Sequence, residues 1–111
     1  MAFKLNTVRC LDVTVMELSG GVTLGEGAKL FGDAVRNAVW DGHTKLALDY
    51  SNVTYQDSSA LAELVSAFTT LANSGGEMVL FNLRQKVRDL LRLTKLLTIF
   101  TAFDSRSAAL A

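Results

Sequence analysis

The sequence predicts an α/β protein whose mixed sheet of four to five strands is packed by about four helices. Apolar residues alternate in some segments and recur at helical spacing in others, and the two kinds of segment follow one another along the chain. Strands that alternate with helices favour parallel pairing through right-handed crossovers. Only four residues separate the first two strands, which favours an antiparallel hairpin at one edge of the sheet.

The N-terminal part of the chain contains two predicted strands and one predicted helix. Residues 3–8 and 13–18 have the half-buried alternation of strands, and the Ser-Gly-Gly sequence at 19–21 is expected to end the second strand. From 25 to 40 the apolar residues recur at helical spacing. Trp40 ends this helix, and we expect it at the edge of the core.

The remaining elements alternate in the same way. They are a strand at 45–50, a helix at 58–72, a strand at 78–81, a helix at 83–93, a strand near 98–102 and a final helix near 104–110. The run at 78–81 is continuously apolar, which is typical of a strand covered on both faces. The chain is expected to form a single domain over residues 1–111.

Composition excludes several classes of function. Eleven basic residues balance eleven acidic ones, so no broad field attracts nucleic acid or an anionic membrane. No segment approaches the roughly 20 apolar residues that span a bilayer. Cys10 is the only cysteine, which excludes an intrachain disulfide and fits the cytoplasm. We therefore expect a cytoplasmic protein with no nucleic-acid partner and no direct membrane contact.

The triplet Asp57-Ser58-Ser59 stands before the clearest helix of the chain. Asp and Ser side chains accept hydrogen bonds from backbone N–H groups that have no partner in the first helical turn. Considered alone, the triplet is explained by helix capping. The sequence segments before and after the triplet indicate more than a cap.

Several segments occur in an order that resembles one family. They read VTVMELSGGVTLGEGAKL at 13–30, LDYSNV at 48–53, YQDSSAL at 55–61, GGEMVLFN at 75–82 and KVRDLLRLTKLLTIF at 86–100. Together they resemble the STAS domain, and specifically the bacterial anti-sigma-factor antagonists. The resemblance covers nearly the whole chain and implies a STAS-like fold.

The resemblance implies a protein-binding switch with no catalytic activity, no cofactor and no metal. Members of the family bind an anti-sigma factor that is also a serine kinase. This kinase phosphorylates the first serine of the triplet, which corresponds to Ser58, and a PP2C-type phosphatase removes the phosphate. The resemblance therefore makes Ser58 the phosphoacceptor.

Five further residues are implied in partner binding. They are Thr23, Asp57, Ser59, Ala60 and Leu61. Two of them depart from the family pattern, because Ala60 stands where a glycine is usual and Thr23 stands where an aspartate is common. Alanine in a first helical turn favours the helix by roughly 0.5–1 kcal/mol over glycine, but its methyl group could crowd a docked kinase.

The sequence also allows other functions. A structural STAS subunit that is never phosphorylated, in a signalling assembly or a lipid-transport ABC complex, is the main alternative. An enzyme with Ser58 as nucleophile would need His43, the only histidine, as its base. One histidine and one cysteine far apart give no metal-ligand spacing. The glycines at 20, 25 and 27 fit no phosphate-binding motif, so loop flexibility explains them better.

Overall fold

The structure, a computed structural model, describes residues 3–22, 26–57 and 61–110. In chain order its elements are β1 (Lys4–Cys10), β2 (Val13–Val22), α1 (Glu26–Trp40), β3 (Lys45–Gln56), α2 (Leu61–Asn73), β4 (Glu77–Phe81), α3 (Gln85–Leu93), a 3₁₀ turn (Leu96–Thr98), β5 (Thr101–Phe103) and α4 (Arg106–Leu110).

The five strands form one sheet in the order β1-β2-β3-β4-β5. β1 pairs with β2 antiparallel, and the three remaining pairs are parallel. This confirms the predicted mixed sheet with an antiparallel edge hairpin and about four helices. The hairpin turn is shorter than expected, because β1 runs to Cys10 and β2 begins at Val13.

The prediction that residues 19–21 end the second strand is wrong. β2 continues to Val22, and its pairing with β3 shifts register on both sides of Ser19-Gly20. Gly20 has a φ of 85°, a conformation that glycine adopts without the steric penalty of a side chain. The glycine thus allows an irregular strand where the sequence suggested a break, and β3 likewise continues to Gln56.

The sheet is covered on both faces. On one face, β2, β3 and β4 pack against α1, α2 and α3, with Met16, Leu48, Leu64, Leu80 and Leu91 in the shared core. On the other face, Val15, Ala47 and Phe81 pack against Ala109 and Leu110 of α4. The prediction that the strand at 78–81 is covered on both sides is therefore confirmed.

Trp40 does not lie at the edge of the core as predicted, since it is 90% exposed. α1 buries Phe31, Val35 and Ala38, a spacing of three to four residues that defines one face of the helix. Trp40 follows Ala38 by only two positions, which turns it to the other side of the helix. Apolar character alone did not distinguish these two faces.

Tyr50 gives the fold a specific sensitivity to alkaline pH. It is completely buried in the core, and this burial raises the pKa of its hydroxyl far above the ordinary value, opposed in part by a hydrogen bond with Gln56. An unfolded tyrosine loses its proton near pH ~10, while folded Tyr50 keeps it. The unfolded state therefore gains relative stability as the pH rises above that value.

We expect the free energy of unfolding to fall above pH ~10 by up to about 1.4 kcal/mol per pH unit from this residue. Urea denaturation of the wild type and of Tyr50→Phe at pH 8 to 11 measures the effect. The phenylalanine variant should show the shallower decline, since other groups that titrate in this range are common to both proteins. Equal slopes in the two proteins would contradict the assignment.

Candidate functional site

The carboxyl ends of β2 and β3 lie side by side. The two strands are parallel, and Val22, the last residue of β2, pairs with Gln56, the last residue of β3. The connections to α1 and α2 therefore begin at the same edge of the sheet. This is the edge of a parallel sheet where binding residues commonly lie.

Four predicted site residues fall within these two connections. Thr23, Ser58, Ser59 and Ala60 lie outside the residues that the structure describes, so their roles stay predictions. Their described neighbours Val22 and Gln56 meet across the β2–β3 pairing. This register supports a common edge for the segments that contain Thr23 and Ser58.

The two described members of the predicted site differ in burial. Asp57 is half-buried and directly precedes Ser58, and it has an interaction partner within the chain. Leu61 is only 4% exposed and belongs to the core shared by the sheet and the helices. Leu61 therefore packs inside the domain at the start of α2, and its role in partner binding stays a prediction.

A groove runs between the end of β3 and α3. We call it the α3 groove; it encloses about 510 Å³ and is lined by Gln56, Asp57, Lys86, Val87, Asp89, Leu90 and Leu93. Its apolar wall comes from α3, whose Leu93 is 81% exposed. The groove therefore places a partly apolar surface next to Asp57, at the edge of the sheet where β3 ends.

The floor of the α3 groove contains an unusual polar group. Gln56 is only 5% exposed, and its Oε1 atom has no hydrogen-bond partner in the described part of the chain. Nothing in the sequence pointed to Gln56, since a polar residue at the end of a strand is ordinarily expected to face water. Its burial depends on the placement of α3, which the local sequence does not reveal.

One hydrogen bond joins β3 to the start of α3, and further polar contacts lie within α3. Nε of Arg84, the residue before α3, donates a hydrogen bond of 2.9 Å to the Ser51 backbone oxygen. Within α3, Nε2 of Gln85 donates to Oδ1 of Asp89 at 2.6 Å, and Arg92 lies 3.6 Å from the same carboxylate. The Asp89 charge is therefore satisfied on the helix itself.

The described residues assemble neither a Ser-His pair nor a metal centre. His43 precedes β3 and Asp57 follows it, so the twelve residues of the strand separate His43 from the neighbourhood of Ser58. No group of three or more metal-ligating side chains occurs within the ranges 3–22, 26–57 and 61–110. Over the same ranges, no helix is long and apolar enough to cross a membrane.

Solved structures of similar shape cover nearly all of the chain. A candidate anti-sigma factor antagonist from Thermotoga maritima is 28% identical with a TM-score of 0.88, over 96% of this chain and 91% of that one. An anti-sigma factor antagonist from Mycobacterium paratuberculosis is 21% identical with a TM-score of 0.84, over 98% of this chain and 92% of that one. The Bacillus cell fate determinant SpoIIAA, in its phosphorylated form, is 18% identical with a TM-score of 0.72, over 96% of each.

A family model supports the same relationship at the level of sequence. The model described as the STAS domain matches residues 4–109. Among the described elements, this match includes all of them in full except α4, whose last residue lies one position beyond it. The fold agrees with it, since the shape of the chain matches solved structures of anti-sigma factor antagonists, one of them a candidate, with TM-scores of 0.88 and 0.84. The chain belongs to the STAS domain family.

Proposed function

We propose that this chain is an anti-sigma-factor antagonist that works as a phosphorylation-gated protein-binding switch, with Ser58 as its phosphoacceptor. The observation that carries the proposal is the Asp57-Ser58-Ser59 triplet between β3 and α2, in a chain 28% identical to a candidate antagonist. The proposed partners are an anti-sigma factor that is also a serine kinase and a PP2C-type phosphatase. The site of action is the cytoplasm.

The edge at which β2 and β3 end suits a protein partner. It combines the connection that contains Thr23, the connection that contains Ser58, and the α3 groove beside Asp57. Apolar residues with a polar surround are typical of surfaces that bind another protein. A partner seated on this edge would cover Ser58 together with the groove.

The switch itself is a transfer of one phosphoryl group. The Ser58 oxygen forms a bond to the γ-phosphorus of ATP while the bond between that phosphorus and ADP breaks, and the hydroxyl proton passes to a base of the kinase or to water. The phosphate adds about −1.5 to −2 charges at neutral pH. A partner surface that accommodated the neutral Ser58 hydroxyl would then have to accommodate a charged phosphate. Removing water from that charge costs free energy, which weakens the complex.

Phosphorylation is expected on Ser58 and not on Ser59. Incubation with the kinase and ATP, followed by phosphopeptide mapping, tests this directly. Ser58→Ala should lose the label, whereas the matched variant Ser59→Ala should keep it. Modification mainly at Ser59, or label that persists in Ser58→Ala, would refute the assignment.

A structural STAS subunit that is never phosphorylated is the second candidate. The observation that favours it is Ala60, which follows the serine pair in the sequence where the family usually has glycine. The same kinase reaction separates the two candidates. If Ser58 stays unmodified while Ala60→Gly becomes phosphorylated, the structural role is favoured for the natural sequence.

A further inference from the structure

Basic residues are concentrated in and around α3. Five of the eleven basic residues of the chain lie between positions 84 and 95, together with a single acidic residue, Asp89. This segment therefore has a net charge of +4, although the chain as a whole is neutral. We call the five side chains the α3 basic surface, and they are Arg84, Lys86, Arg88, Arg92 and Lys95.

The chain supplies little negative charge to balance the α3 basic surface. Two of its cations lie near a carboxylate, at distances of 3.6 Å and 3.7 Å; the pairs are Arg92 with Asp89 and Arg88 with Asp104. Lys86 and Lys95 are exposed and form no ion pair with any residue in the described part of the chain. The surface therefore keeps an excess of positive charge in the folded domain.

The positions of two of these charges are unfavourable for the helix itself. Arg84 directly precedes α3 and Lys86 lies in its first turn, which contains no acidic residue. The N-terminal end of a helix carries a partial positive charge, so acidic side chains stabilise it and basic side chains oppose it. Helix stability therefore does not account for Arg84 and Lys86, whereas contact with an acidic partner would.

A cavity of about 370 Å³ separates the end of β3 from the start of α3, and it is lined by Val53, Thr54, Arg84, Gln85, Lys86 and Val87. The hydrogen bond from Nε of Arg84 to the Ser51 backbone oxygen, 2.9 Å long, holds the guanidinium here. The two terminal nitrogen atoms of Arg84 make no hydrogen bond with a described residue. A carboxylate that enters this cavity would accept hydrogen bonds from Arg84 and pair with Lys86.

The neighbouring side chains indicate which kind of anion fits. α3 contains no aromatic residue, so it offers no platform on which the bases of a single-stranded nucleic acid stack. Leu93 is 81% exposed on the same helix, and an apolar side chain of a peptide would cover it, whereas a phosphate backbone would not. The carboxylate of Asp104 is fully exposed and would repel the dense phosphates of a nucleic acid or a membrane. The surface therefore fits a peptide that has both carboxylates and apolar side chains.

We propose that the α3 basic surface binds an acidic, partly apolar segment of a protein partner, with its carboxylates on the cations of α3 and an apolar side chain on Leu93. Arg88 and Arg92 lie four positions apart, the same spacing as carboxylates at i and i+4 of a helical segment. The inference rests on the proposed function in one respect, since the partner is taken to be the anti-sigma factor.

Two synthetic peptides form a matched pair of probes. Both are helices of alanine and leucine about 18 Å long, and one carries glutamate at every fourth position where the other carries glutamine. NMR titration of the ¹⁵N-labelled protein measures affinity and locates binding. We expect shifts centred on Lys86 and Arg92, with the glutamate peptide binding about tenfold more tightly at low ionic strength. This difference should shrink in high salt, because dissolved ions screen exposed charges.

Three outcomes would overturn the proposal. They are equal affinities of the two peptides at low ionic strength, shifts centred on another surface, and tighter binding of a single-stranded oligonucleotide that has the same charge as the glutamate peptide.

Charge-reversal variants separate a binding role from a structural one. Lys86→Glu should weaken the glutamate peptide about fivefold, yet its melting temperature should not fall, because it places an acidic residue in the first turn of α3. Lys95→Glu should also weaken this peptide, and it keeps the test valid if Lys86→Glu does not fold. Lys29→Glu is the matched control, since Lys29 is exposed near the start of α1, and it should bind as the wild type does. Equal weakening by Lys29→Glu would refute a localised surface.

Failure of this inference is distinguishable from failure of the proposed function. A protein that is phosphorylated on Ser58 but does not discriminate between the two peptides refutes the role of the α3 basic surface alone. A protein that prefers the glutamate peptide through Lys86 but neither binds nor is phosphorylated by the kinase supports the surface as an acidic-segment site and refutes the proposed function.

Discussion

Ser58→Asp is expected to reduce the affinity for the anti-sigma factor about 100-fold or more, while the melting temperature changes little. A charge that is stripped of water without a partner costs several kcal/mol, and each 1.4 kcal/mol is tenfold in affinity. Within the domain itself the effects nearly cancel. An anion at the predicted start of a helix is favoured by roughly 0.3–1 kcal/mol, and repulsion from Asp57 opposes it.

Calorimetric binding and thermal melting of the same Ser58→Asp sample test this expectation. Ser66→Asp is the matched control, because Ser66 is an exposed serine on α2 and receives the same charge away from the predicted site. The control should bind as the wild type does, and Ser58→Ala should also bind. Lost binding together with a large drop in melting temperature would mean that Ser58→Asp unfolds the domain, and the local switch would be refuted.

Gly76→Ala is expected to destabilise the domain by about 3 kcal/mol, the upper end of what overpacking usually costs. A Cβ atom at Gly76 would overlap the Thr44 backbone oxygen and lie 2.7 Å from the Thr44 Cβ atom. The backbone at Gly76 cannot easily move away from Thr44, because hydrogen bonds hold it there. The Gly76 N–H donates to the Leu71 oxygen at 2.7 Å, and the Glu77 N–H donates to the same Thr44 oxygen at 2.8 Å.

Gly75→Ala provides the comparison at the neighbouring position. Gly75 has a φ of 75°, and no described heavy atom lies near enough to meet an added Cβ atom. Its substitution should therefore cost only the backbone strain, about 1–2 kcal/mol. Urea denaturation of both variants measures the difference, and melting should fall by roughly 10–20 °C for Gly76→Ala. Equal losses in the two variants would show that close packing on Thr44 is unimportant.

The order and type of the elements could be predicted because the hydrophobic patterns are local. The lengths of the strands could not be predicted from these local patterns. β2 and β3 both extend past the points where turn residues suggested an end, since pairing between the two strands includes Gly20, Gly21 and Asn52 despite its shifts of register. The exposure of Trp40 was missed for a related reason, because the packed face of α1 is decided by which side meets the sheet.

The candidate site, too, could be predicted from the sequence only in part. The Asp57-Ser58-Ser59 triplet alone indicates a helix cap, and only a resemblance that covers most of the chain gives it a functional meaning. Gln56 and Leu93 carry no local signal, because they become neighbours only when α3 packs beside the end of β3. The burial of Leu61 follows from the apolar spacing of its helix, whereas its role in partner binding is implied only by the motif.

The most direct test of the central claim compares the chain before and after modification by its kinase. The protein is incubated with the serine kinase and ATP, stoichiometric phosphate on Ser58 is confirmed by mass spectrometry, and both forms are titrated against the anti-sigma factor. The account predicts tight binding of the unmodified form, binding weakened about 100-fold or more after phosphorylation, and recovery after treatment with the phosphatase. Equal binding of the two forms would contradict it.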